Sequence, residues 1–254
     1  WREWTGLTTD RDSYIGNVMM ARKFNYQWDI GKIGKPVDKT EWGMSPQTVN
    51  AYYNPLQNEI VFPAAILQPP FFDAEADDAV NYGAIGAVIG HEISHGFDDQ
   101  GRQFDGDGNL RDWWTADDAA RFKALADRLV AQYDAYTVLD GEHLNGRLTL
   151  GENIGDLSGL AVAYRAYQLA LGGKPAPVID GYTGAQRFYL GWSQSWRWKY
   201  RDNNLRMRLV TDPHSPARFR VDGVVTNLEG FYAVFGVDVG DKLYRTPADR
   251  VKIW

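Results

Sequence analysis

Hydrophobic positions recur at helical spacing along much of the chain and at strand spacing in few places. Ile85 and Ile89 stand four apart within residues 74–98, interleaved with Gly83, Gly86 and Gly90, so the spacing predicts a buried helix with close-packed glycine faces. Thr115, with Asp118 three residues later, opens a helix over 115–136. Thr149 opens another over 149–171, which stops at Gly172-Gly173, where glycine tolerates left-handed backbone. Further helices are predicted over 10–24 and 185–200. Residues 48–67 instead carry β-branched and aromatic residues broken by Asn54-Pro55 and Pro63, which reads as short extended segments around a turn and fits an edge strand. Pro69-Pro70 predicts extended backbone, 99–114 and 140–146 read as polar connections, and 219–225 reads as a strand. No repeat, low-complexity tract or convincing linker interrupts the pattern.

Composition narrows what such a chain can do. With 254 residues, 44% of them hydrophobic and 10 of them Trp, it has the material for a sizeable core in one large or two small domains and is not a disordered polymer. Its 27 Lys and Arg against 33 Asp and Glu leave a net charge of −6, which argues against nucleic acid or an anionic membrane surface as the main partner. The longest apolar run, 60–67, is broken by Pro63 and falls short of the roughly 18 residues of a membrane span. Residues 1–12 lack the basic start and apolar stretch of a signal peptide, and the chain, opening on Trp1, reads as a piece of a longer one. Zero Cys excludes disulfides, thiolate metal sites and a Cys nucleophile, so a metal here is held by His and carboxylates.

Two of the four His fall in His91-Glu92-Ile93-Ser94-His95, a zinc-peptidase pattern on a predicted helix. Positions four apart share a helix face, so both imidazoles reach one ion while Glu92 points beside it. The ordinary alternative is a helix with two exposed His and an accidental Glu, against which stands the apolar, Gly-rich run before it. A catalytic zinc takes three protein ligands and keeps one position open. His143 and His214 are candidates for the third, but Glu152, with Asp156 one turn on, is better placed: one carboxylate binds metal while the other accepts a ligand's ring N–H. Thr149-Leu150-Gly151-Glu152 reads equally well as a capping box, with Glu152 serving only the backbone. Asp98, on the face of His91 and His95, reads either as a carboxylate orienting an imidazole or as a solvated helix-end Asp. Asp105-Gly106-Asp107-Gly108-Asn109 starts like a calcium loop, but Leu110 and Ala116 stand where Gly and Glu are required, so a turn is expected instead.

From about Pro36 to the end, the chain resembles the neprilysin family of zinc peptidases. The resemblance is carried by Asn50-Ala51-Tyr52-Tyr53, Gln68-Pro69-Pro70-Phe71-Phe72, the segment from His91 to Asp99, Gly151 to Asp156, Asp212-Pro213-His214-Ser215-Pro216 and the terminal Trp254. It implies an α+β, mainly α fold: a zincin (thermolysin-like) catalytic domain over 1–254, with an active-site helix and a small mixed sheet whose edge strand lies beside the metal. It implies one Zn2+ per chain held by His91, His95 and Glu152, with Glu92 as general base. Asp156 matches the family's functional Asp; on physical grounds it is expected to accept a hydrogen bond from His91, as Asp98 does from His95. His214 matches the residue that stabilises the oxyanion and Arg220 the one that binds a substrate carbonyl. Asn50 and Ala51 match the residues that hold the substrate backbone, and Phe71, Val88 and Trp196 the lining of an apolar pocket after the cut bond.

The implied activity is zinc-dependent endopeptidase or oligopeptidase cleavage on the amino side of large hydrophobic residues. The alternative is a zinc-containing peptide-binding module with impaired catalysis, and a third reading is a metal-free helical scaffold. Family members carry a further N-terminal helical region that closes over the cleft, against which this segment is expected to pack. The absence of Cys resembles the bacterial members, which are exported or cytoplasmic.

Overall fold

The structure, a computed structural model, describes residues 3–254, which divide into a unit ending at Pro46 and a larger one, Gln47–Trp254. In the first, helix α1 (Tyr14–Ile30) starts where Ser13 accepts a hydrogen bond from the Gly16 N–H. It outruns the predicted 10–24 by a turn and a half and buries none of its residues. Trp28 in its last turn and Lys32 just past its end both donate to Glu41.

The larger unit opens with a hairpin, β1 (Tyr52–Asn54) and β2 (Glu59–Val61), paired antiparallel with Tyr53 opposite Ile60. Residues 68–72 depart from the predicted extended backbone: the Phe71 and Phe72 N–H groups both donate to the Gln68 carbonyl, because proline suits a turn as well as a strand. The helix predicted over 74–98 is one continuous helical run with changing pitch. It begins as α2 (Asp78–Asn81), passes through a π turn (Tyr82–Gly86), continues as α3 (Ala87–Ser94) and tightens to a 3-10 turn (His95–Phe97). The close packing expected of its glycines holds at two of the three. A Cβ on Gly83 would collide with the Phe188 carbonyl and one on Gly90 would stand 2.7 Å from the Gly159 carbonyl oxygen, whereas Gly86 meets only ordinary contacts.

Helix α4 (Ala116–Asp134) is capped as predicted by Thr115, which accepts the Asp118 N–H. The connection read at 140–146 is instead a second antiparallel hairpin, β3 (Thr137–Leu139) and β4 (Glu142–His143), turned at Asp140-Gly141. Both sheets among the described residues are local hairpins, so the strands are antiparallel and not mixed: parallel pairing needs a crossover that these short loops do not make. The mainly helical class with a small sheet is as expected.

Helix α5 (Leu150–Ala170) is the longest among the described residues and is buried along most of its length, as an apolar helix in the middle of a core must be. It ends at Gly172-Gly173, both left-handed as predicted. Helix α6 (Gly184–Ser195) stops five residues short of the prediction, where the chain turns to bring the Trp196 ring under Arg220. Two helices that the pattern did not announce are α7 (Asp202–Thr211) and α9 (Glu229–Phe235). Between them, 219–225 is not a strand but lies within α8 (Ala217–Val225). Its Val and Phe residues raise strand propensity, yet the buried positions Ala217, Arg220 and Val224 fall three and four apart, and packing overrides propensity.

The main core gathers Leu129, Tyr133, Ile154, Leu160, Phe188 and Trp192, all fully buried and each contributing on the order of 2 kcal/mol of transfer free energy. Arg187, itself buried, holds Asp77 with two hydrogen bonds of 3.1 Å and so joins α6 to the cap of α2. No helix of the described residues is long and apolar enough to cross a membrane.

Candidate metal centre

The most extensive helix contact among the described residues is between α3 and α5, and the site is built on it. A Cβ on Gly159 would stand 2.5 Å from the His91 N, so hydrogen at that position is what lets the backbones meet. From α3, His91 and Glu92 project into the interior, 6% and 5% exposed, and His95 follows on the 3-10 turn. From α5 come Glu152 and, one turn on, Asp156, which is fully buried.

Each imidazole is fixed by a carboxylate behind it. His91 Nδ1 lies 2.9 Å from Asp156 Oδ1, and His95 Nδ1 lies 2.7 Å from Asp98 Oδ2, Asp98 being buried. Carboxylates only accept, so each Nδ1 carries the proton and each Nε2 is left with its lone pair. Those two Nε2 atoms face each other at 2.9 Å, and Glu152 brings its carboxylate to 3.2 Å from one and 3.8 Å from the other. All three ligand atoms lie within 4.8 Å of one another. Glu152 Oε2 is buried with no hydrogen-bond donor. Two facing lone pairs and an orphaned carboxylate oxygen are repulsive without a cation between them, so the donor set fits a metal ion. The capping-box reading of Glu152 fails: Thr149 makes no cap, its hydroxyl donating to the Asn145 carbonyl.

The same crowd of acceptors favours positive charge among them, whether a metal ion or, without one, a proton. Burial disfavours a charged His91, but hydrogen bonds and charge from Asp156 and Glu152 outweigh it and push its pKa up to about 10. Burial alone would raise Glu152, yet His91, His214 and Arg220 hold it well below the usual carboxylate range. Asp156 is likewise held low against its burial, by Arg220 and His91. Glu92 is pushed up, chiefly by burial and further by the charge of Glu152, against the pull of His91, His95 and Arg220.

Arg220 comes from α8 and is clamped onto Asp156 by two hydrogen bonds of 2.6 Å from Nε and Nη2, with its guanidinium 3.9 Å from the Trp196 ring. In this position the guanidinium neutralises the carboxylate behind His91. His214 presents Nε2 3.3 Å from Glu152 Oε2 and Nδ1 2.8 Å from Asp212 Oδ1. Asp212 was not singled out from sequence, although its place two residues before His214 is the signature of a side-chain turn, and its Oδ1 also accepts the His214 backbone N–H. Phe71 and Val88 share a small apolar cluster with Ala51, Ile66 and Ile85, whereas Trp196 packs against the main core instead. Asn50 is exposed just before β1. The Asp105 segment is the expected turn, with the Asp107 and Asn109 N–H groups donating to Asp105 Oδ1.

A helix carrying His-Glu-x-x-His, whose two rings meet a glutamate from a second helix, in a mainly helical fold with small antiparallel hairpins, defines a zincin-type metallopeptidase centre. The chain belongs to peptidase family M13, which it matches over residues 50–251. It is 42% identical over 257 aligned residues to an endothelin-converting enzyme homolog of Locusta migratoria, covering 100% of this chain and 35% of that one. Among solved structures, zinc metalloprotease Zmp1 of Mycobacterium tuberculosis in complex with inhibitor superposes with a TM-score of 0.96 at 56% identity, over 100% of this chain and 40% of that one. PepO from Lactobacillus rhamnosis HN001 follows at 0.85 and 38% identity, over 98% and 38%. The chain thus spans about a third to two-fifths of the length of these relatives.

Proposed function

We propose that this chain is the metal-bearing part of a zinc-dependent endopeptidase or oligopeptidase that cleaves peptides on the amino side of large hydrophobic residues. The observation that carries this reading is the convergence of His91 Nε2, His95 Nε2 and the Glu152 carboxylate within 4.8 Å, with Glu92 buried beside them. His91, His95 and Glu152 would hold the zinc, whose chemistry when bound is to lower the pKa of water and polarise the scissile carbonyl.

The remaining work falls to the chain's own side chains. Glu92 takes the proton of the attacking water and hands it to the leaving amine, a role its burial and raised pKa favour. His214, its Nδ1 held by Asp212 Oδ1, presents Nε2 to the oxyanion as a donor. Asp156 and Asp98 keep the two ligand rings oriented, and Arg220 keeps Asp156 ionised. Asn50 and Ala51, beside the edge strand β1, hold the substrate backbone by strand addition. Phe71, Val88 and Trp196 receive the side chain after the cut bond, which favours large apolar groups. The relatives' greater length, together with exposed Ile15, Met19 and Tyr26 on α1, supports packing against a further region.

The test is hydrolysis of a fluorogenic peptide by the zinc-loaded protein with and without chelator, alongside Glu92→Gln. The expected result is chelator-sensitive cleavage in the wild type and retained zinc with nearly all turnover lost in the variant. Zinc-loaded Glu92→Gln that cleaves like the wild type would remove Glu92 from its role. Zinc binding with no wild-type hydrolysis would leave a peptide-binding module.

A further inference from the structure

Helix α7 has no fully buried residue, and of its side chains Leu209 is the one that packs against the main core. Its last turn carries Arg208, whose Nη2 lies 2.7 Å from Asp212 Oδ2, while the Arg208 carbonyl accepts the Asp212 N–H at 2.9 Å. The other oxygen, Asp212 Oδ1, is taken by the backbone and ring N–H groups of His214 at 2.9 and 2.8 Å. Each carboxylate oxygen therefore has its own partner, and the group cannot rotate without breaking one of them. The guanidinium is itself held 5.3 Å over the Tyr200 ring. The Tyr200 hydroxyl in turn accepts the Ala217 N–H, just past His214.

An i,i+4 ion pair at a helix end is ordinarily a minor surface contact. Arg218 and Asp222 show what that looks like, with the Arg side chain 77% exposed. In the Arg208 pair the side chains are only 25% and 19% exposed, and the acid has a second partner in the candidate site.

We infer that Arg208 is a positioning residue for His214: it fixes the Asp212 carboxylate, which fixes the imidazole that faces the developing oxyanion. This rests on the role given to His214 above. It predicts a defect in turnover and not in substrate affinity, because the ring's contact strengthens only as charge develops on the substrate oxygen.

The experiment measures kcat and KM of the zinc-loaded intact protein on a fluorogenic peptide for Arg208→Met, Arg208→Lys, His214→Phe and the Arg208→Met/His214→Phe double variant, with zinc content and thermal unfolding followed in parallel. Arg208→Met is expected to lower kcat about tenfold, less than the 100- to 1,000-fold of removing an oxyanion donor, with KM changed by less than about twofold and zinc unchanged. Arg208→Lys, which keeps a cation against Asp212 Oδ2, is expected to recover most of that loss. Without the His214 ring, Arg208→Met is expected to change kcat by less than about twofold. Wild-type kcat in Arg208→Met, or an equal loss in the His214→Phe background, would overturn the inference. Wild-type kcat in His214→Phe would overturn the role of His214 itself, and this inference with it.

Discussion

At the scale of single residues, Asp98, Asp156 and Asp212 are each paired with a base. Asp212 shows how that arrangement reports on pH. Its pKa is lowered despite partial burial, by hydrogen bonds from His214 and by the charges of His214 and Arg208. A depressed folded pKa stabilises fully above the unfolded value, near the ordinary 3.8, and that contribution is lost as pH falls through the folded value. Asp212→Asn is therefore expected to be less stable than the wild type at pH 7, by about 1–3 kcal/mol for hydrogen bonds to a charged group, with the difference closing below pH 3.8. Urea unfolding of both proteins in chelator from pH 7 to pH 3 checks this, and a difference independent of pH would show that the carboxylate's charge is not what matters.

At the scale of elements, the centre depends on two helices that meet backbone to backbone. Gly159→Ala places a Cβ 2.5 Å from the His91 N and 2.6 Å from the Ala87 carbonyl oxygen, so α3 and α5 must part. The expected cost is about 1–3 kcal/mol of stability together with weaker zinc binding. Calorimetry and metal titration read the two, and an alanine variant with wild-type values for both would show that the crossing is not tight. The same elements explain what could be read from sequence. The His-Glu-x-x-His spacing is local, and so are the Thr115 cap and the glycine stop after Leu171, because each is fixed within a turn or two of chain. The hairpin at Asp140-Gly141 is also announced locally, by its turn residues, but these stand among other polar residues and read as a loop. Glu152 is ambiguous in sequence because capping and ligation use the same residue at the same place, and the Thr149 hydroxyl, turned to the Asn145 carbonyl, removes the capping box. The Arg220 clamp on Asp156 joins positions 64 apart, and α8 looked like a strand because its buried period is set by neighbours distant in sequence.

At the scale of the whole molecule, every residue of the candidate centre lies within Gln47–Trp254, the larger of the two units. Zinc that binds the folded form alone stabilises it by mass action, about 2.7 kcal/mol at a free concentration a hundred times the dissociation constant. For a chain of 254 residues that corresponds to a Tm lowered by roughly 5–10 °C when chelator strips the metal. Differential scanning fluorimetry before and after chelation measures it, with metal content assayed alongside; an unchanged Tm on complete removal would show that the unfolded chain grips zinc as well as the folded one does. The bare α3–α5 crossing has a further consequence. The spacing of the two helices that carry the imidazoles and Glu152 is set there by main-chain atoms in contact. A methyl group at Gly159 is therefore expected to shift the preference of the centre toward a larger ion such as cadmium, which competition between zinc and cadmium in a metal titration measures.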